Sequence, residues 1–200
     1  MKNLLQINSS IFSSADQSSQ LADRFVATWY ANHPDAQVIV RDLAQNPLPH
    51  LDGQRVTAFF VQPETRTPEQ QAWVAESDAL IEEIKQADVI VIGLPMYNFG
   101  IPSTLKAYFD QIARAGVTFR YTENGPEGLL AGKKAYVFAT RGGRYAGTPL
   151  DSQTGYVQDF LGFLGIADVE FVYAEGLNMG EASKDAALTK ARQQLAGLAA

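Results

Sequence analysis

No cysteine occurs among the 200 residues, so disulfides, thiolate metal sites and cysteine nucleophiles are all excluded. Histidine is nearly as scarce. His33, before Pro34, and His50, after Pro49, are the only two; neither falls in a metal-ligand spacing, and both read as solvated turn residues rather than bases. Basic charge is in the minority, with 16 Lys and Arg against 22 Asp and Glu and a formal net charge of -6. A nucleic-acid backbone would be repelled by such a chain, which argues against a nucleic-acid partner. No apolar run approaches the roughly 20 residues that span a bilayer. Met1 to Ser10 carries one Lys and a short apolar stretch that soon turns polar, unlike a secretory or transit leader, so a cytoplasmic location is expected. The segment after the first apolar run also lacks Gly-x-Gly-x-x-Gly and Gly-Lys-Ser/Thr, which disfavours a dinucleotide turn and a Walker-type loop.

What is present is a regular alternation. Five apolar runs, Asn3 to Asn8, Gln37 to Val40, Asp88 to Leu94, Lys134 to Thr140 and Val169 to Ala174, are separated by amphipathic stretches. Val89-Ile90-Val91-Ile92 is an unbroken β-branched string, as expected of a strand covered on both faces. Leu21, Phe25 and Trp29 recur every fourth residue and predict a helix with one buried stripe. Thr67-Pro68-Glu69-Gln70 opens a second helix with a capping box and a proline at the first helical position. Further helices are predicted over Pro102 to Ala115, Tyr156 to Leu164 and Ala182 to Leu198, while Leu43 to Arg66 reads as an unusually long loop, of a kind that is usually functional. Strands alternating with helices imply right-handed crossovers and a parallel sheet. The expected fold is one α/β domain, residues 1–200: a flavodoxin-like, doubly wound five-stranded parallel sheet of order 2-1-3-4-5 with helices on both faces.

In such a sheet, ligands bind beyond the carboxyl ends of the strands where the strand order reverses. Three unusual segments follow the first, third and fourth runs and converge there. Ser9 to Ser19 offers hydroxyls and a helix amino terminus, where free N–H groups favour an anion. With no Lys or Arg between Lys2 and Arg24, a phosphate would rest on neutral donors. The plain alternative is a solvated serine-rich loop with Ser18 as the helix cap. Pro95-Met96-Tyr97-Asn98-Phe99-Gly100 puts apolar and aromatic side chains at the sheet's mouth, suited to a planar ligand with Asn98 reading its edge. Thr140-Arg141-Gly142-Gly143 allows a close backbone approach. Together they describe a pocket for a monophosphate carrying a planar ring.

At these residues the chain resembles the FMN-dependent NADH-azoreductases, also called FMN-dependent NADH:quinone oxidoreductases. The resemblance runs over nearly the whole chain and is most specific in Pro95 to Phe99, Ala113 to Tyr121 and Thr122 to Gly128. It implies a homodimer with one FMN per subunit at the interface. It places the phosphate on Ser10 and Asp16-Gln17-Ser18, and the ring on Met96-Tyr97-Asn98-Phe99 and Thr140-Arg141-Gly142-Gly143. Asp16 stands where a serine is expected and would repel a phosphate; it then points outward, lending backbone only, or the phosphate leans on Ser10, Gln17 and Ser18. Thr140 replaces a common serine and keeps the hydroxyl, whereas Arg144-Tyr145 departs from the family pattern and leaves substrate preference open.

The resemblance further implies a ping-pong cycle in which NADH or NADPH gives a hydride to the flavin, and a quinone, an azo compound or a nitroaromatic then takes two electrons at the same face. No protein nucleophile, catalytic side chain or metal is required, since the cofactor carries the chemistry. Phe99, Tyr121 and Phe163 are the expected walls of the substrate slot, with Tyr121 and Phe163 reaching across a dimer; core packing is the alternative for Phe163. Two other functions compete. A flavodoxin-like electron carrier would need an exposed ring edge and no slot for nicotinamide. A cofactor-free signalling domain of the response-regulator kind would need carboxylates after the first strand, where Asn8-Ser9-Ser10 has none.

Overall fold

The chain's coordinates come from a computed structural model that describes residues 2–199. Seven strands form among them: β1 (Asn3–Asn8), β2 (Gln37–Asp42), β3 (Val89–Pro95), β4 (Phe119–Thr122), β5 (Gly125–Gly128), β6 (Lys134–Arg141) and β7 (Asp168–Glu175). Five of them make one parallel sheet, ordered β2-β1-β3-β6-β7. Counted over that sheet alone, the order is the expected 2-1-3-4-5, because β4 and β5 pair only with each other. The order reverses between β1 and β3, and the registers Asn8–Gly93, Pro95–Thr140 and Arg141–Glu175 bring the carboxyl ends to one edge.

Six helices connect the strands: α1 (Gln17–Asn32), α2 (Gly53–Phe60), α3 (Pro68–Gln86), α4 (Ser103–Ile112), α5 (Thr154–Phe163) and α6 (Glu181–Leu198). Alternate strand residues point to opposite faces of the sheet. Leu5, Ile7, Ile90 and Ile92 join side chains of α3, α4 and α5, whereas Leu4, Val89 and Val91 join those of α1 and α6. Each fully buried Leu or Ile contributes about 1.5–3 kcal/mol, so these two layers hold the sheet edge rigid. No helix among the described residues is long and apolar enough to cross a membrane.

The capping box of α3 forms as expected, with Thr67 and Gln70 each serving the other's backbone N–H. Other expectations need correction. The cap of α1 is Asp16, not Ser18, which lies inside the helix. The stretch Leu43 to Arg66 is not a plain loop: it contains α2, capped by the Asp52 carboxylate, and a 3-10 turn at Pro63–Thr65. Eight residues are too few to show a helical period, which is why α2 was not evident. α4 stops at Ile112 rather than Ala115, because the Thr118 hydroxyl takes the Ile112 carbonyl at 2.6 Å and receives the Arg114 N–H at 3.0 Å. The β4–β5 hairpin was not expected at all. It turns at Glu123-Asn124 and closes on Gly125, whose φ of 106° suits glycine.

Candidate functional site

The β1–α1 segment leaves the sheet at the point of strand reversal. Ser9 fixes its exit by donating its hydroxyl to the Gly93 carbonyl at 2.6 Å. The Ser10 hydroxyl receives the Phe12 N–H at 3.1 Å and lies 2.9 Å from the Tyr97 hydroxyl, tying the first loop to the loop after β3. Asp16 caps α1 through one carboxylate oxygen, which accepts from Ser18 N at 2.8 Å and Ser18 Oγ at 2.6 Å. The negative charge is thereby absorbed by the first helical turn, whose dipole favours it. Ser18 is fully buried and its hydroxyl is engaged by Asp16, so of the two it is Asp16, with Gln17, that faces the crevice. α1 sits close to the sheet here: a Cβ at Gly93 would lie 3.2 Å from the Ser18 carbonyl.

The loop after β3 makes a two-residue turn. Tyr97 N donates to Gly100 O at 3.2 Å and Gly100 N to Tyr97 O at 2.9 Å, with Asn98 at φ 50° and Phe99 at φ 63° between them. Both central residues are left-handed, as in a type I′ turn, and for a bulky residue such as Phe99 this costs about 1–2 kcal/mol. The turn presents Asn98 outward and leaves Phe99 52% exposed. A conformation this costly at a cleft is characteristic of ligand sites.

The loop after β6 faces that turn. The carbonyls of Arg141, Gly142 and Gly143 accept from Leu177, Asn178 and Gly176 at 2.8–3.1 Å, which leaves the chain's N–H side toward the crevice. Among the described residues, no protein acceptor meets the N–H groups of Gly142 and Gly143. A Cβ at Gly142 would lie 2.6 Å from the Asn178 amide nitrogen and one at Gly143 2.6 Å from the Tyr145 hydroxyl, so a side chain at either would displace a residue lining the crevice. Thr140 is buried, and its carbonyl accepts from Met96 N at 2.9 Å.

Arg141 lines the crevice with its backbone. Its side chain is turned into the protein and wholly buried, paired with Asp151 at 2.8 Å and Glu175 at 3.2 Å and lying over the Tyr173 ring. Burial pushes the Asp151 carboxyl upward, but hydrogen bonds from Arg141 and Thr154, with the Arg141 charge, outweigh it and hold the group below the usual carboxylate range. Glu175 in turn accepts from Tyr145 N and Ala146 N, both at 2.8 Å. Arg141 thus anchors the loop that carries the two glycines.

Two adjoining cavities share Met96, Gly142 and Asn178. One, of about 280 Å³, reaches Asp16, Gln17, Tyr97, Thr140 and Lys184; the other, of about 480 Å³, reaches Asn98, Phe99, Gly143 and Tyr145. Together they form a crevice from the start of α1 to an aromatic wall, where Phe99 and Tyr145 meet edge to face at 5.5 Å. Asn178, Lys184 and Tyr145 were not expected to line it. A fourth converging segment, the turn after β7, was the available signal, since it too emerges at the carboxyl edge.

The expected slot residues separate. Phe99 lines the crevice, but Tyr121 and Phe163 both pack on Phe119, with ring centroids 5.4 and 4.3 Å away. They sit at the far end of α5, some 14 Å along its axis from Thr154 at the crevice side. Within one chain they therefore wall nothing at the crevice, and Tyr121 is 75% exposed. Neither histidine lines the crevice: His33 stacks on Trp29 at 4.3 Å, and His50 lines a neighbouring groove, with Ile101, Lys106 and Tyr156, that meets the crevice at Phe99.

The family model described as flavodoxin-like fold matches residues 2–198. A Burkholderia lata protein named FMN-dependent NADH:quinone oxidoreductase 6 is 59% identical over 98% of this chain and 99% of its own length. A Cellvibrio japonicus FMN-dependent NADH:quinone oxidoreductase is 56% identical over 98% and 97%. Among solved structures, an azoreductase from Bacillus anthracis superposes with a TM-score of 0.90 at 30% identity, covering 100% of this chain and 99% of that one. A Bacillus anthracis FMN-dependent NADH-azoreductase in complex with FMN also gives 0.90, at 27% identity and 100% and 98% coverage.

Proposed function

Because the chain belongs to the family of FMN-dependent NADH:quinone oxidoreductases, we propose that it holds one FMN per subunit and passes electrons from NADH or NADPH to quinones and aromatic azo compounds. The observation that carries this reading is the crevice at the strand reversal, with a helix amino terminus at one end and an aromatic, glycine-backed wall at the other. The residues present fit the cofactor. Gln17 and the first turn of α1 offer neutral donors to a phosphate, Ser10 lies buried behind them against Tyr97, and Lys184 lines the same cavity as a cation. The free N–H groups of Gly142 and Gly143 suit the polar edge of a ring, and Met96, Tyr97, Asn98 and Phe99 its face.

FMN held there would supply the two-electron redox chemistry between nicotinamide and acceptor. The protein's part is to hold, orient and shield. Asp16 stays compatible with a phosphate because Ser18 and the helix dipole offset its charge. Phe99 and Tyr145 keep water off one side of the opening. We take the chain as one doubly wound cytoplasmic domain working as a homodimer, in which Tyr121 and Phe163 of a second subunit would close the slot that they cannot reach in their own chain. Donor and acceptor then share a single opening and bind in turn.

Steady-state rates with NADH and a quinone, each varied at fixed levels of the other, test this. Shared occupancy predicts parallel double-reciprocal lines; converging lines would mean that both substrates are bound at once and would refute the single opening.

A further inference from the structure

We propose that Gln153 is a positioning residue that locks the Tyr97–Gly100 turn in its left-handed form, so that the ring-binding wall is set before any ligand arrives. The inference rests on the cofactor reading above for its consequence, but the lock itself consists of contacts within this chain alone.

Gln153 is fully buried and stands immediately before α5. Its Nε2 donates to Pro95 O at 3.0 Å and Gly100 O at 2.9 Å, so one amide nitrogen bridges the end of β3 and the closing residue of the turn. Beside it, Ser152 Oγ donates to Phe99 O. Two consecutive residues thus engage carbonyls on both sides of the strained pair.

The turn needs such support. Asn98 tolerates positive φ because its short polar side chain suits that region, but Phe99 at φ 63° does not. Phe99 is half exposed, and its aromatic contact within the chain is the edge-to-face one with Tyr145. Packing alone therefore does not explain why the conformation persists. The orientation of the Gln153 amide follows from its neighbours, since turning the oxygen toward two carbonyls would set three acceptors together. Its Oε1 is left buried without a protein partner, so the donors govern the placement. The clamp is fixed in turn by Asp151, which holds Thr154 N at 3.1 Å, Thr154 Oγ1 at 2.8 Å and Arg141 at 2.8 Å.

Two near-isosteric variants test the lock. Gln153→Leu removes both donors; Gln153→Glu regains one only when its carboxyl is protonated, and burial among carbonyls raises that pKa. In the apoprotein, amide exchange of Gly100 in Gln153→Leu should rise by roughly tenfold, the size of one lost hydrogen bond to a buried group, with the amides of the central sheet unchanged. FMN and riboflavin Kd should rise by the same factor, because the phosphate end at α1 is untouched. Riboflavin binding to Gln153→Glu should tighten as pH falls from about 8 to about 6, beyond any trend in the wild type. Unchanged Gly100 exchange, an altered FMN-to-riboflavin ratio, or a Glu variant with the wild-type pH profile would each overturn the lock. If the wild-type protein bound neither flavin, the cofactor reading would fail while the exchange result still decided the lock.

Discussion

Replacing Arg141 with Met should lower the unfolding free energy by about 3–5 kcal/mol, the usual cost of stripping one partner from a buried ionic network. Domains of this kind have only about 5–15 kcal/mol in total, so the variant will sit close to the folding threshold. The cost arises because Asp151 and Glu175, with side chains only 8% and 16% exposed, would be left charged and uncompensated. Adding Asp151→Asn and Glu175→Gln to the same chain should recover much of the loss, since the remaining groups are neutral and of similar shape. The network also has a pH signature. The Asp151 carboxyl is held below its unfolded value, so its contribution is complete above pH ~4 and fades as acid protonates it below that range. Urea midpoints followed down through that window should fall in the wild type and flatten in Arg141→Met. A variant as stable as the wild type at neutral pH would show that the three charges are not coupled as their geometry indicates.

Gly128→Ala should be nearly as damaging, although it adds a single methyl group. That carbon would lie 2.0 Å from Gly165 N and 2.1 Å from the Leu164 carbonyl carbon, and both obstacles are backbone. Gly165 already occupies φ 96° and can yield little. The hairpin must therefore lift away from the end of α5, breaking the Leu130 N to Leu164 O bond of 2.8 Å and opening the Phe119–Phe163 contact. We expect a loss at or above the ~3 kcal/mol upper end of ordinary overpacking, with new protease cleavage near Tyr121. Wild-type urea stability and an uncut hairpin would contradict that packing.

Much of this architecture was legible in the residues because buried parallel strands leave strong marks. Val89 to Ile92 could be little else than a central strand, and Thr67-Pro68-Glu69-Gln70 carries its own cap. The elements that escaped are those whose formation depends on distant partners. α2 is too short to show a period, and the β4–β5 hairpin is polar, with only Asn124-Gly125 to mark it. At the site, the loops after β1, β3 and β6 were readable from composition and from the rule of strand reversal. Side-chain direction was not. Arg141 next to two glycines looks like a side-chain contact for a ligand until Asp151 and Glu175 are seen to draw its guanidinium inward, leaving its backbone at the crevice. Ser18 looks like a cap until Asp16 takes that place. Tyr121 and Phe163 look like neighbours of the crevice until the course of α5 carries them to the other end of the sheet.

On the proposed function, the crevice between α1 and the Phe99–Tyr145 wall makes this chain a two-electron flavin reductase. Adding NADH to the FMN-loaded protein without oxygen, followed by one equivalent of quinone, tests it most directly. NADH should bleach the visible flavin band, and the quinone should restore it in full. A protein that stays colourless after incubation with FMN, or a yellow one that NADH leaves unbleached, would contradict it.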